Sequence, residues 1–404
     1  MIRQVVAAAL VACVTAFSAG AEQSTDEARI DVQQSGSAPG WFGRTGFQVS
    51  LSRGVPYRVF TLDNPARLVI DFRETDWTGV RADDLQKGTD LLQEIRVGVY
   101  QPGWSRLVAS LTETALPRDI GMTIDPDTGR AMLQMTFHPT PAEEFAAAAG
   151  VPDTALWPRE DVASSVAPKM DDRFVVAIDP GHGGIDPGAE RGGVTEKELM
   201  LEFAFELREV LSAAGVRVAL TRDRDVFVSL SARVARAHQA RADVFLSLHA
   251  DALEQGGAHG ATVYVLSEEA SDKASGQLAA RHNRADIIAG ADLTGSDDQV
   301  AGILLDLARQ ETEPRTDALA GLLIRGMTRA GGPMNNRPLR RAGFSVLKSA
   351  DIPSVLIEVG FLSSARDLEN LRRPEWRAQM VAALAGSLLE WRAQDLARRA
   401  HLRQ

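Results

Sequence analysis

Between residues 41 and 138 the chain is written in short runs of alternating apolar and polar positions. Phe47, Val49 and Leu51 recur at every second residue, as do Ile95 with Val97, and Leu107 with Ala109 and Leu111. Val69-Ile70-Asp71-Phe72 and the stretch from Met132 to Phe137 read the same way. Side chains of an extended strand point to opposite faces in turn, so a period of two marks a sheet with one face in a core. Asp63-Asn64-Pro65, Gln101-Pro102-Gly103 and Asp125-Pro126-Asp127 supply turns between the runs. The pattern predicts a small all-β domain of sandwich type over 41–138. It holds no cluster of acids, histidines and serines, so binding suits it better than catalysis.

From Arg173 the rhythm changes. Phe174–Ile178 is a continuous apolar strand, and Glu198–Ala214 carries Leu199, Phe203, Leu207, Val210 and Leu211 at helical spacing. Val216–Leu220 and Val244–Leu248 read as strands around a helix at Ser231–Ala240. Val263–Leu266 and Val355–Ile357 add two strands, and Met380, Ala383, Leu384 and Leu388 a last helix. Strands alternating with helices predict an α/β domain over 173–395, with a mainly parallel sheet flanked by helices. Residues 139–172, rich in Ala and Pro with scattered acids, read as a linker with one short helix near Ala142–Ala149.

The amino-terminal stretch changes the setting. Arg3, an apolar run from Val5 to Phe17 and Ala19-Gly20-Ala21 make a signal peptide over 1–21, too short to span a membrane. Residues 22–40, rich in Ser, Gln and Gly, read as a flexible lead-in. The single cysteine, Cys13, lies inside the signal, so the mature chain has no thiol ligand or disulfide. Leu10-Val11-Ala12-Cys13 leaves lipid attachment at Cys13 open as an alternative. The net charge of −10 is spread over 404 residues, which argues against a nucleic-acid partner.

Ligands of such sheets bind beyond the carboxyl ends of the strands. One strand leads into Asp179-Pro180-Gly181-His182-Gly183-Gly184, another into His249-Ala250-Asp251, and the strand at 355–357 into Glu358. Glu196 opens a helix after a Gly-rich loop. Two histidines and a carboxylate with a fourth position left to water form a recurrent catalytic zinc set. Glu358 suits a general acid/base, although sequence alone does not separate it from a ligand. Asp179 or Asp251 could accept the second ring N–H of a ligand histidine.

Each residue also has a plainer reading. His138, His238, His259, His282 and His401 lack such context, and Glu196 alone would suit a helix N-terminus. A carboxylate at the end of the apolar Val355–Ile357 run needs a partner, which a metal site provides. The His-Glu-x-x-His helix of common zinc proteases is absent.

At these residues the chain resembles the zinc-dependent N-acetylmuramoyl-L-alanine amidases. The likeness runs through Val176–Gly184, Thr195-Glu196-Lys197, Phe245–Ala252 and Pro353–Ser363. It implies one Zn2+ per catalytic domain at His182, Glu196 and His249, with Glu358 catalytic. It implies zinc-activated hydrolysis of the amide between the lactyl group of muramic acid and L-alanine in peptidoglycan. Val55–Pro65 and Arg67–Phe72 resemble the AMIN localisation domain, which implies a periplasmic enzyme of a Gram-negative bacterium recruited to the division septum.

An insertion over about 267–320 carries one stripe at Val300, Ile303, Leu304 and Leu307 and another at Leu319, Leu322 and Leu323. Core packing is the plainer reading of both stripes. The resemblance implies instead a helix that occludes the site until an activator of the LytM-domain type displaces it. Glu268 is then the candidate extra zinc ligand, with Glu269 and Asp306 as rivals. A catalytically inactive peptidoglycan-binding regulator and another zinc-dependent hydrolase, such as a deacetylase, are the competing readings.

Overall fold

The computed structural model describes residues 27–39, 45–86, 90–101, 103–152, 173–253, 258–289, 302–349 and 351–402. The signal at 1–21 and most of the expected linker lie outside the described residues. Among the described residues no helix is long and apolar enough to cross a membrane.

The alternating runs build two four-stranded antiparallel sheets. One has the order β1 (Gly36–Pro39), β2 (Thr45–Leu51), β8 (Ala131–Pro139), β7 (Ala115–Ile124). The other has the order β3 (Tyr57–Leu62), β4 (Arg67–Arg73), β6 (Trp104–Leu111), β5 (Leu92–Gln101). Phe47, Val49 and Leu51 stand opposite Met135, Leu133 and Ala131, and all six are buried. They meet Leu68, Ile70, Phe72, Leu107 and Ala109 of the second sheet in one core.

That core extends past the alternating runs on both sides. Ala28 belongs to it, and so does Phe145 of helix α1 (Ala142–Ala148). The packed domain therefore takes in part of the expected lead-in and linker. β7 was not read from the sequence because its outer half is exposed on both faces, leaving no alternation to see.

The second domain is a six-stranded sheet in the order β10 (Arg217–Leu220), β9 (Val175–Pro180), β11 (Val244–His249), β14 (Ser354–Glu358), β12 (Ala261–Leu266), β13 (Met334–Ala342). The first four strands run parallel; β12 opposes β14 and pairs parallel with β13. His249 stands opposite Glu358 in the β11–β14 register. β13 is polar along most of its length (Met334-Asn335-Asn336-Arg337-Pro338), as an edge strand can be, and gave no strand signal.

Both faces of this sheet are covered. Helices α2 (Glu196–Ala213), α6 (Gly302–Arg329) and α8 (Pro374–Leu402) bury Phe203, Leu207, Leu319, Leu323, Leu384 and Leu388 against Val176, Ile178, Leu246 and Ile357. Each such side chain contributes about 1.5–3 kcal/mol on full burial. Leu319, Leu322 and Leu323 are thus core, the plainer of their two readings. Val300 lies outside the described residues, as do the side chains of Ile303, Leu304, Asp306 and Leu307. The opposite face takes α3 (Leu230–Gln239) and α4 (Lys273–Asn283), with Ala237, Leu278 and Ala279 packed on Phe245 and Leu356. A short turn of helix, α5 (Ala285–Ile288), follows α4, and α7 (Ala365–Arg372) precedes α8.

Candidate metal centre and active site

β9 and β11 end side by side, and α2 begins beneath them. Thr195 leads into the helix in extended conformation, so Glu196 is its first residue, where a negative charge suits the helix dipole. Glu196 is fully buried. Its Oε1 accepts from the Ala250 amide at 2.9 Å and its Oε2 from the Ala189 amide at 2.9 Å. These bonds aim one oxygen at each histidine. His249 Nδ1 is 3.0 Å from Oε1 and His182 Nε2 is 3.2 Å from Oε2.

Local backbone makes this approach possible. His182 adopts φ +58°, a left-handed conformation that costs a non-glycine residue on the order of 1 kcal/mol or more. A Cβ on Gly181 would stand 2.2 Å from the His249 ring, and one on Gly188 would stand 2.6 Å from the His182 ring. Only glycine lets both rings in.

The donor set fits a metal ion. Nε2 of His182 is buried and has no hydrogen-bond partner among the described residues, despite Glu196 Oε2 at 3.2 Å. Ligand atoms at about 2.0–2.2 Å from a tetrahedral zinc lie about 3.3 Å apart. The two separations from Glu196 match that spacing. The candidate ligand atoms of all three residues lie within 4.8 Å of one another. Burial opposes the charged form of His182, but Asp186 and Glu196 outweigh it and hold its pKa well above the ordinary value.

Asp186 orients His182. Its Oδ2 lies 2.8 Å from Nδ1, and its Oδ1 accepts from the Gly188 amide. This corrects the expectation for Asp179 and Asp251. Asp179 is spent on the scaffold, accepting from Ser247 Oγ at 2.7 Å, from Arg233 at 2.7 Å and from Thr221. Asp251 faces away from the first histidine pair, toward His282 and Glu358.

Glu358 is fully buried at the end of β14. Its Oε2 accepts from the Asp251 amide at 2.9 Å, while Oε1 has no hydrogen-bond partner among the described residues. Burial first, then the carboxylates of Asp251 and Glu196, push its pKa well above the usual carboxylate range.

His282 is the residue the sequence did not single out. Helix α4 carries Ser275, Leu278, Ala279 and His282 on its buried face. His282 Nε2 lies 3.3 Å from Asp251 Oδ2 and 3.8 Å from Glu358 Oε1, with its ring 4.3 Å from that of His249. Its spacing of seven from Ser275 and four from Leu278, on a packed stripe, was the available signal. Glu268 and Glu269, by contrast, are exposed on the loop after β12, away from this cluster. The space bounded by His182, His249, His282, Asn283 and Ala285 is about 20 Å³. That holds about one water, against the ~300–1,000 Å³ of an ordinary ligand pocket.

His238 lies away from this edge, on α3, bonded to Asp351 at 2.8 Å and to Ser349 at 3.0 Å.

Two histidines and a carboxylate that could hold a metal, at the carboxyl edge of a mainly parallel sheet and beside a buried glutamate of raised pKa, suit a hydrolase built on an α/β fold. The chain belongs to the N-acetylmuramoyl-L-alanine amidase family, which residues 176–390 match, and residues 29–129 match the AMIN domain. It is 32% identical over 368 residues to the N-acetylmuramoyl-L-alanine amidase AmiC of Neisseria meningitidis serogroup B, covering 86% of this chain and 87% of that protein. To AmiC of Escherichia coli O6:H1 it is 29% identical over 364 residues, 85% of each chain. To AmiA of Escherichia coli K12 it is 35% identical over 227 residues, 56% of this chain and 78% of that protein. The protein is a cell-wall hydrolase of the amidase type, and its substrate is peptidoglycan.

Proposed function

We propose that this enzyme is a zinc amidase whose ion is held by His182, Glu196 and His249, and that Glu358 is its catalytic acid. The observation carrying this reading is the buried, unpartnered Nε2 of His182 set 3.2 Å from Glu196 Oε2, while the other oxygen of that carboxylate lies 3.0 Å from His249 Nδ1. Zinc bound there would polarise the substrate carbonyl and lower the pKa of water. The chain's own part is positional and protonic. The Ala189 and Ala250 amides fix Glu196, and Asp186 fixes the tautomer of His182. Glu358 is pinned through Oε2, which leaves Oε1 to carry a proton to the leaving amide nitrogen.

The bond broken is the amide between the lactyl group of muramic acid and L-alanine. Product analysis of digested peptidoglycan tests this. Free stem peptides support the amidase, released acetate a deacetylase, and no product even with an activator present an inactive regulator. The AMIN match supports a periplasmic enzyme recruited to the septum.

We infer that the site is closed in this state. The space beside His182 and His249 is ~20 Å³, too small for a muropeptide, and the side chain of the insertion that lines it is His282, in place of the expected Glu268. An activator of the LytM-domain type that withdraws α4 would open it.

A further inference from the structure

The central strands of the β3-β4-β6-β5 sheet, β4 and β6, are buried on both faces. Leu68, Ile70 and Phe72 point into the domain's own core. Arg67, Val69 and Asp71 point the other way, with Arg106 and Val108 opposite Asp71 and Val69 in the β4–β6 register. All five are buried. The amidase domain covers this face: Ile185, Phe227 and Ala289 join Phe60, Leu62, Val69 and Val108 in one apolar cluster. Tyr100 stacks on Phe227 with ring centroids 5.7 Å apart.

The polar contacts across this face fall on two segments of the site. The Ile185 amide donates to the Val99 carbonyl at 3.0 Å, within the loop that carries His182 and Asp186. Arg67 donates to the Ile287 carbonyl at 2.8 Å. Arg106, fixed by two bonds to Asp71, reaches the Ala289 carbonyl at 3.3 Å. Ile287 and Ala289 lie in and just after α5, five and seven residues beyond His282. Carbonyls in the last turn of a helix have no amide four residues on within the helix to accept from. Two desolvated guanidinium groups are strong donors for them.

We propose that the β domain is the latch of the closed site: by holding the Ile287 and Ala289 carbonyls, Arg67 and Arg106 keep α4 seated and His282 against Asp251. This rests on the reading that α4 closes the site. The same face grips the His182 loop through Val99, so the latch joins the fixed and the removable walls of the cavity. An event that shifts the β domain then shares its free energy with opening.

The test uses the full chain carrying Arg67→Ala and, from the other side of the contact, Ala289→Glu. Backbone amide exchange over 273–289 is read by mass spectrometry, together with basal stem-peptide release. Loss of one charge-assisted hydrogen bond predicts exchange at 281–289 about tenfold faster, with β11 unchanged. If both variants fold, and both keep wild-type exchange over 281–289, the latch is overturned. Faster exchange without raised basal activity keeps the latch and removes the occlusion reading. Raised activity in His282→Ala, with exchange unmoved in both latch variants, does the reverse.

Discussion

Asp186 Oδ2 lies 2.8 Å from Nδ1 of His182, four residues back along a glycine-rich loop. The ring's other nitrogen then faces Glu196. Removing such an orienting carboxylate typically weakens metal binding ~10–100-fold. Asp186→Asn should show that loss in competition against a chromogenic chelator, with the fold intact. Affinity equal to wild type would remove Asp186 from this role.

Glu358→Gln keeps the side-chain volume and the bond from the Asp251 amide but cannot give up a proton as the acid does. Turnover on dye-labelled peptidoglycan should fall by ~10²–10⁴, with zinc content unchanged. Loss of zinc alongside activity would make Glu358 a ligand.

His282→Ala should raise basal hydrolysis without an activator, because a ring that narrows the space beside His182 and His249 is gone. Glu268→Ala should leave basal hydrolysis unchanged, since Glu268 is exposed. The converse result would return the blocking role to Glu268.

Chelation should do more than stop turnover. With Glu196 and His249 buried and His182 only partly exposed, the metal-free chain keeps a buried carboxylate among imidazoles. A ligand at 100 times its Kd adds about 2.7 kcal/mol to stability. The Tm should therefore drop on adding chelator and recover with zinc. A Tm indifferent to both would place the metal elsewhere.

His238 offers a pH test clear of the site. Its hydrogen bond to Asp351 raises its pKa, and the same contact lowers that of Asp351. The folded histidine binds its proton more tightly than the unfolded chain does. Its contribution is therefore complete below about pH 6.5 and is lost as pH rises through the raised value. The Asp351 contribution runs the other way, lost as pH falls through its depressed value. The pair is half-exposed, so the effect on stability is at most ~1 kcal/mol. An NMR titration should place His238 above the ordinary value, and Asp351→Asn should bring it back. A His238 titrating normally in the wild type would contradict the contact.

The sheet edge was readable because His182, His249 and Glu358 each follow an apolar run, and a run's end fixes which edge a residue reaches. Glu196 was readable because it opens a periodic helix. Asp186 was not, since the loop's path through three glycines sets its position and no periodicity records it. Nor was His282: a histidine on a packed helical stripe looks the same whether its neighbour is a leucine or a metal ligand. The buried charges Arg67, Asp71 and Arg106 interrupt an alternation that otherwise reads as sandwich core. Their meaning depends on a second domain lying over them.

The register of β11 against β14 sets His249 directly beside Glu358. The backbone gap between the proposed metal ligand and the proposed acid is therefore one inter-strand spacing, about 4.8 Å. A hydrogen-bonded ladder in the middle of the sheet maintains that gap, whatever the surrounding loops do. Insertions can lengthen or decorate the rim, as the segment carrying α4 does here, while the two strand-end residues stay at the same separation. Such an enzyme can acquire new gates and new addresses without retuning its chemistry.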